Sequence, residues 1–217
     1  MNVCAVKTLT EITPQLGFDY LLNFGFTTLV QNRTEKDGSV VSDIQQPLAL
    51  GGITDGITNL EITAAYATIA NQGTYTRPVF YSKVVDSNGR ILLDNTTPTT
   101  HTVLKSSTAS LLTQGMTSVI TEGTGKACAL TDGMPVSGKT GTTSSAYDLW
   151  FCGYTPYLTA SIWTGYDENK ELGSDQAYHE RLWSKIMSQI DQVKGYKIKD
   201  FEMSDDVEEV TLCSSSG

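Results

Sequence analysis

Basic side chains are scarce. The 217 residues hold 15 Lys and Arg against 24 Asp and Glu, a formal net charge of −9. Nucleic acids and anionic lipid surfaces are gripped by clustered cations, so this balance argues against both as partners. Histidine is rarer still, with two in the chain. The four cysteines, Cys4, Cys128, Cys152 and Cys213, stand too far apart in sequence for a CxxC pair. These two shortages argue against a zinc site, and spacing alone reads the thiols as buried or unpaired. They fix no redox compartment. No run approaches the ~18 apolar residues that cross a bilayer, and no secretory leader is legible. No cofactor is implied.

What is present suits a globular chain. Hydrophobic residues make up 39%, and the length fits one ordinary domain or a large piece of a bigger one. Abundant Thr, Gly and Ser point to strands and turns among the helices. The first residues, Met1 to Val6, open directly into a helix-like pattern, so we expect the chain to begin within a structure. Residues 3–11 read as a short helix. Thr13 caps the next one, with Pro14 at its first position and Gly25 past its end. Residues 31–56 read as a long polar loop. Thr58-Asn59-Leu60-Glu61 is a capping box that opens a helix closed by Gly73.

Residues 79–85 and 91–93 flank an Asn-Gly turn and predict a hairpin. Ser106 or Ser107 caps a further helix, with Leu111, Leu112, Met116, Val119 and Ile120 on its apolar side and Gly123 at its end. The period then changes to that of strands at 135–143, 149–154 and 157–165, with Thr155-Pro156 turning between the last two. A final helix spans 178–190, its apolar side carrying Leu182, Ile186, Met187 and Ile190. The order predicts an α+β fold with helices packed on an antiparallel sheet. We expect residues 200–217, acidic and then Ser-rich, to form a poorly ordered tail.

Two motifs compete for one segment. Gly133 to Thr140 spells GxxxxGK[ST], the letters of a phosphate-binding loop. That loop needs a strand before it and a helix after it, whose N-terminus faces the phosphates. Residues 124–132 are a weak strand, and Gly141 to Ser145 start a helix poorly. Pro135 also stiffens the loop. A P-loop NTPase is therefore the weaker alternative. The second motif is Lys139-Thr140-Gly141, a KTG triplet on a strand rich in β-branched residues. There Gly141 lets a ligand backbone approach, and Lys139, Thr140 and Thr142 offer an ammonium and two hydroxyls.

The surrounding residues resemble the transpeptidase domain of class A penicillin-binding proteins, the bifunctional peptidoglycan synthases. The likeness runs through Asn2 to Lys7, Thr13-Pro14, Leu48 to Gly52, Thr58 to Tyr66, Asn71-Gln72-Gly73, Glu122 to Ala127, Asp148 to Pro156 and Trp163 to Asp167. It implies that residues 1–199 are the C-terminal portion of an incomplete transpeptidase domain of the penicillin-binding-protein and β-lactamase type. It also implies that Lys139, Thr140, Gly141 and Thr142 bind the terminal carboxylate of a D-Ala-D-Ala stem peptide. The Thr142 N–H would form half of an oxyanion hole. Asn2 would be the asparagine of the family's SxN motif, orienting substrate and aiding proton transfer. Peptidoglycan stem peptides and β-lactams are the implied partners. A glycosyltransferase domain would accompany the intact protein, on the outer face of the bacterial cytoplasmic membrane.

The departures are specific. No Ser stands three residues before any Lys; Cys4 before Lys7 and Thr102 before Lys105 are the nearest. No Ser-x-Asn occurs either. The catalytic serine and its lysine are therefore absent, and we expect the chain alone to be inactive. A D-Ala carboxypeptidase or β-lactamase relative, and a non-catalytic peptide-binding module, remain alternatives at this point. A missing upstream segment would leave apolar surface uncovered and favour self-association.

Overall fold

A computed structural model describes residues 2–208 and 210. The chain forms two compact units, Met1–Thr68 with Tyr75–Val103, and Ile69–Thr74 with Leu104–Gly217.

The first unit opens with α1 (Asn2–Ile12) and α2 (Pro14–Asn23). They join at Thr13, whose hydroxyl accepts from the Leu16 backbone N–H at 3.4 Å. The two helices meet closely at Gly17, where a Cβ would stand 2.6 Å from Leu9 Cδ1. Leu9, Phe18 and Leu48 form the core there. The segment read as a loop holds a two-residue hairpin, β1 (Arg33–Thr34) with β2 (Val40–Val41), and a 3₁₀ turn at Gln46–Leu50. Buried Asp43 pins it down, accepting from Val30 N and Thr54 N at 2.7 Å each and from Thr54 Oγ1 at 2.6 Å.

The capping box forms as spelled at the head of α3 (Asn59–Ala70). Glu61 N donates to Thr58 Oγ1, and Glu61 Oε2 accepts from Thr58 N and Oγ1. The other oxygen, Oε1, accepts from Thr27 N at 2.8 Å and Thr27 Oγ1 at 2.6 Å. β3 (Thr74–Thr76) pairs with β6 (Thr100–Thr102), and between them lies the hairpin β4 (Lys83–Val85) with β5 (Ile91–Asp94). Its first strand begins at Lys83, later than the expected residue 79. Ladder register runs from Lys83↔Asp94; before it Ser82 O accepts from Asn95 N at 2.7 Å and Tyr81 O from Asn95 Nδ2 at 3.3 Å, without extending the strand.

The second unit holds α4 (Ser106–Thr121), the strands β7 (Ser137–Thr142), β8 (Leu149–Tyr154) and β9 (Thr159–Thr164), and α5 (Tyr178–Lys194). The sheet is antiparallel with order β7-β8-β9. Ser137 pairs with Tyr154, and on their face both side chains reach Thr113 of α4. Phe151 points to the other face, where its ring meets Trp183 of α5 edge-on at 4.8 Å. One helix therefore covers each face of the sheet. The α5 side carries the main core of Ile120, Cys128, Leu130, Met134, Val136, Phe151, Trp183 and Met187.

Both helices turn differently from expectation. Lys105 occupies the N-cap of α4 without a side-chain bond, so neither Ser106 nor Ser107 caps it. Its buried positions are Ala109, Ser110, Thr113 and Ile120, while Leu111 and Leu112 are exposed. A helix lying directly on a strand favours small residues at the contact, and Ala, Ser and Thr supply them. α5 buries His179, Glu180, Trp183, Ser184, Met187 and Asp191. Of the expected apolar side, Met187 is buried, but Leu182 and Ile186 are 45% and 43% exposed.

The stretch from residue 200, expected to be loose, makes specific contacts as far as Ser204. Gln72 Nε2 donates to Glu202 O at 2.6 Å, and Ser204 N donates to Ser110 Oγ at 2.9 Å. Phe201 meets Tyr154 edge-on at 5.5 Å. Residues 211–217, the Ser-rich end that includes Cys213, lie outside the described residues. Cys4, Cys128 and Cys152 are free thiols.

Candidate active-site strand

β7 is an edge strand, paired only with β8 among the described residues. Its sequence, Ser-Gly-Lys-Thr-Gly-Thr, alternates across the sheet. Ser137, Lys139 and Gly141 share the α4 face; Gly138, Thr140 and Thr142 share the α5 face. Lys139 and Thr142 are exposed, and Thr140 and Gly141 are half-buried. The strand thus brings four of the expected residues onto one free edge. Asn2 is exposed at the start of α1, in the other unit.

Each group has a defined local state. Lys139 Nζ donates to Thr140 O at 3.0 Å, a weak self-contact that an incoming anion can displace. Thr140 Oγ1 lies 2.7 Å from Thr124 Oγ1, so the loop after α4 steadies that hydroxyl. The glycines are dictated by packing. A Cβ on Gly138 would stand 2.6 Å from Cys152 O, 2.7 Å from Phe151 Cζ and 2.8 Å from Gly153 Cα. On Gly141 it would press Trp150 Cβ at 3.2 Å.

The base of the strand is locked by a buried polar chain. Ser137 Oγ donates to Thr113 O at 2.9 Å, and Thr113 Oγ1 donates to Ala109 O at 2.8 Å. With the Thr113 proton so used, Tyr154 OH must donate to Thr113 Oγ1, at 2.7 Å. Burial raises the Tyr154 phenol above its ordinary value, so it remains a donor at neutral pH. The far end of β7 is tied by Asp148. Thr143 Oγ1 donates to its Oδ2 at 3.0 Å, and Trp163 Nε1 donates to its Oδ1 at 2.9 Å. Thr124, Asp148 and the Ser137–Thr113–Tyr154 chain were not singled out as positioning groups from sequence. The 122–127 and 148–156 stretches carried that signal only as likeness.

The phosphate-loop alternative fails here. Met134 and Val136 are buried in the core, Thr140 sits inside a strand, and the next regular element is a three-residue 3₁₀ turn at Ser144–Ala146. The buried thiols are poor nucleophiles: burial pushes Cys152 up to about 11 and, with Glu180 beside it, pushes Cys128 higher still. No group of three His, Cys, Asp or Glu placed to hold a metal ion occurs among the described residues.

Lys-Thr-Gly, a motif of penicillin-binding proteins and β-lactamases, here stands on an edge strand of a sheet flanked by helices. The chain belongs to the penicillin binding protein transpeptidase domain family, whose sequence model matches residues 1–188. It is 34% identical to penicillin-binding protein 1A of Clostridium acetobutylicum over 187 residues, which is 86% of this chain and 22% of that protein. Penicillin-binding protein 1A of Aquifex aeolicus is 32% identical over 206 residues, covering 94% of this chain and 26% of the relative. The chain thus spans about a quarter of the length of these curated relatives.

Among solved structures, the penicillin-binding protein PonA1 from Mycobacterium tuberculosis superposes with a TM-score of 0.64 at 26% identity, over 82% of this chain and 51% of that one. Penicillin-binding protein 1A from Haemophilus influenzae gives a TM-score of 0.69 at 18% identity, over 94% and 34%. The α+β architecture, helices on an antiparallel sheet, is therefore that of a penicillin-binding-protein transpeptidase domain. No helix of the described residues is long and apolar enough to cross a membrane.

Proposed function

We propose that β7 receives the terminal carboxylate of a D-Ala-D-Ala stem peptide, with Lys139 supplying charge and Thr140 and Thr142 supplying hydroxyls. Its free edge carries the reading, because a peptide can extend the sheet there by main-chain bonds. Gly141 leaves that edge open at the point of closest approach. In the same reading Thr142 N–H belongs to an oxyanion hole, and Asn2 serves proton transfer. Binding alone does not make an acyl-enzyme. That step needs a serine beside a lysine base, and no Ser-x-x-Lys occurs in these 217 residues. The chain therefore binds stem-peptide ends and β-lactams reversibly, as a portion of a D,D-transpeptidase. A glycosyltransferase domain and a membrane anchor would belong to the intact protein.

Incubation with a fluorescent penicillin, followed by a denaturing gel, tests the covalent half. We expect no stoichiometric band; a labelled band would show a nucleophile other than the family's. The binding half is tested by titrating a diacetyl-Lys-D-Ala-D-Ala peptide. Saturation by the D,D but not the L,L peptide is expected, and loss of that preference would remove the assignment.

A further inference from the structure

An aromatic row crosses the main sheet beside Lys139. Register sets Gly141, Trp150 and Trp163 side by side on the three strands. Directly paired residues share a face, so the row lies on the α4 face with Lys139, ~7 Å along β7. α4 is fastened to the opposite end of that face, at Ser137 and Tyr154. Trp163 is 38% exposed and Trp150 half-buried, whereas the third tryptophan, Trp183, is buried on the other face.

The rings are set toward β7. A Cβ on Gly141 would stand 3.2 Å from Trp150 Cβ, 3.9 Å from its Cγ and 4.0 Å from its Cδ1. Trp150 thus fills the space that a side chain at 141 would take, and brings an apolar surface to the strand edge. Trp163 backs it, with ring centroids 6.2 Å apart and planes inclined at 45°. Trp163 is itself fixed. Its Nε1 donates to Asp148 Oδ1 at 2.9 Å, and its ring passes where a Cβ on Gly165 would stand 2.5 Å from Cζ2. Asp148 also accepts from Thr143 Oγ1, just past β7, so one carboxylate sets both strand end and ring. Lys139 Nζ reaches forward to Thr140 O, toward the same row. A cation beside a rigid indole suits a ligand that carries an anion and a small apolar group on one carbon. The C-terminal residue of a peptide has that form.

We propose that Trp150, backed by Trp163, is the wall that meets the side chain of the ligand's C-terminal residue and selects a small apolar group there. The inference rests on the carboxylate seat proposed above at Lys139. Calorimetric titration of the full chain with diacetyl-Lys-D-Ala-D-Ala and with diacetyl-Lys-D-Ala-Gly compares ligands with and without the methyl. Wild type should prefer the D-Ala peptide about fourfold, the worth of one buried methyl group. Trp150→Ala should bind both peptides alike, and Trp150→Phe should restore the preference. Lys139→Ala should weaken both and leave their ratio unchanged. A second measurement needs no variant that could misfold. In proton–nitrogen correlation spectra of wild type, the Trp150 indole N–H signal should move with the D-Ala peptide and that of Trp183 should not. Saturable binding with the preference intact in Trp150→Ala, or with an unmoved Trp150 signal, would overturn the wall and leave the carboxylate seat standing. No saturable binding of either peptide would overturn both.

Discussion

Lys139 and Gly138 are adjacent, yet substituting them should have opposite consequences. Lys139 is exposed, and among the described residues its ammonium donates only to a neighbouring carbonyl. Lys139→Ala should therefore leave urea stability within ~0.5 kcal/mol while weakening D-Ala-D-Ala peptide binding by roughly tenfold or more. Gly138→Ala should cost ~1–3 kcal/mol, because its methyl meets backbone on two sides and the Phe151 ring on the third. The two measurements together separate ligand contact from folding. The Lys-Thr-Gly letters were legible because the chemistry is in the side chains themselves. The need for Gly138 was not, since the atoms that forbid a Cβ come from a strand that pairs only in three dimensions.

At the scale of elements, Glu61 holds the most. Its carboxylate accepts four bonds that fasten the head of α3 to Thr27. Burial alone would raise its pKa, but the bonds from Thr27 and Thr58 outweigh that and hold it below its ordinary value of 4.5. A depressed acid stabilises the fold above its unfolded value, and that contribution fades as pH falls through the folded one. Glu61→Gln should thus cost ~1–2 kcal/mol at neutral pH, with the gap to wild type closing well below pH 4.5, as followed by thermal unfolding. Tyr154→Phe should cost ~1 kcal/mol in the same assay, by leaving the Thr113 hydroxyl without its donor. The capping box, the hairpin turn and all three strands of the main sheet could be read in advance, because their rules are local. The faces of α4 and α5 could not. The sheet asks α4 for small polar residues, and α5 buries a His, a Glu and an Asp while presenting leucine and isoleucine outward.

For the whole molecule, that outward presentation has a cost. Leu182, Ile186 and Val193 lie 45%, 43% and 84% exposed at four- and seven-residue steps along one helix. Apolar stripes of this kind invite association. Light scattering should give an average mass above 23.5 kDa that rises with concentration, and Leu182→Glu with Ile186→Lys should return it to the monomer value. Circular dichroism of that double variant should match wild type, since neither side chain is buried. The open edge of β7 carries a second hazard. Alternate residues of its six turn their main-chain N–H and C=O groups away from β8 and would template the strand of a passing neighbour, and an ammonium in the middle of such a row is a known deterrent. Lys139 would therefore guard this edge as well as serve the proposed ligand role: a chemical modification that neutralised it should leave the row open to a neighbouring chain.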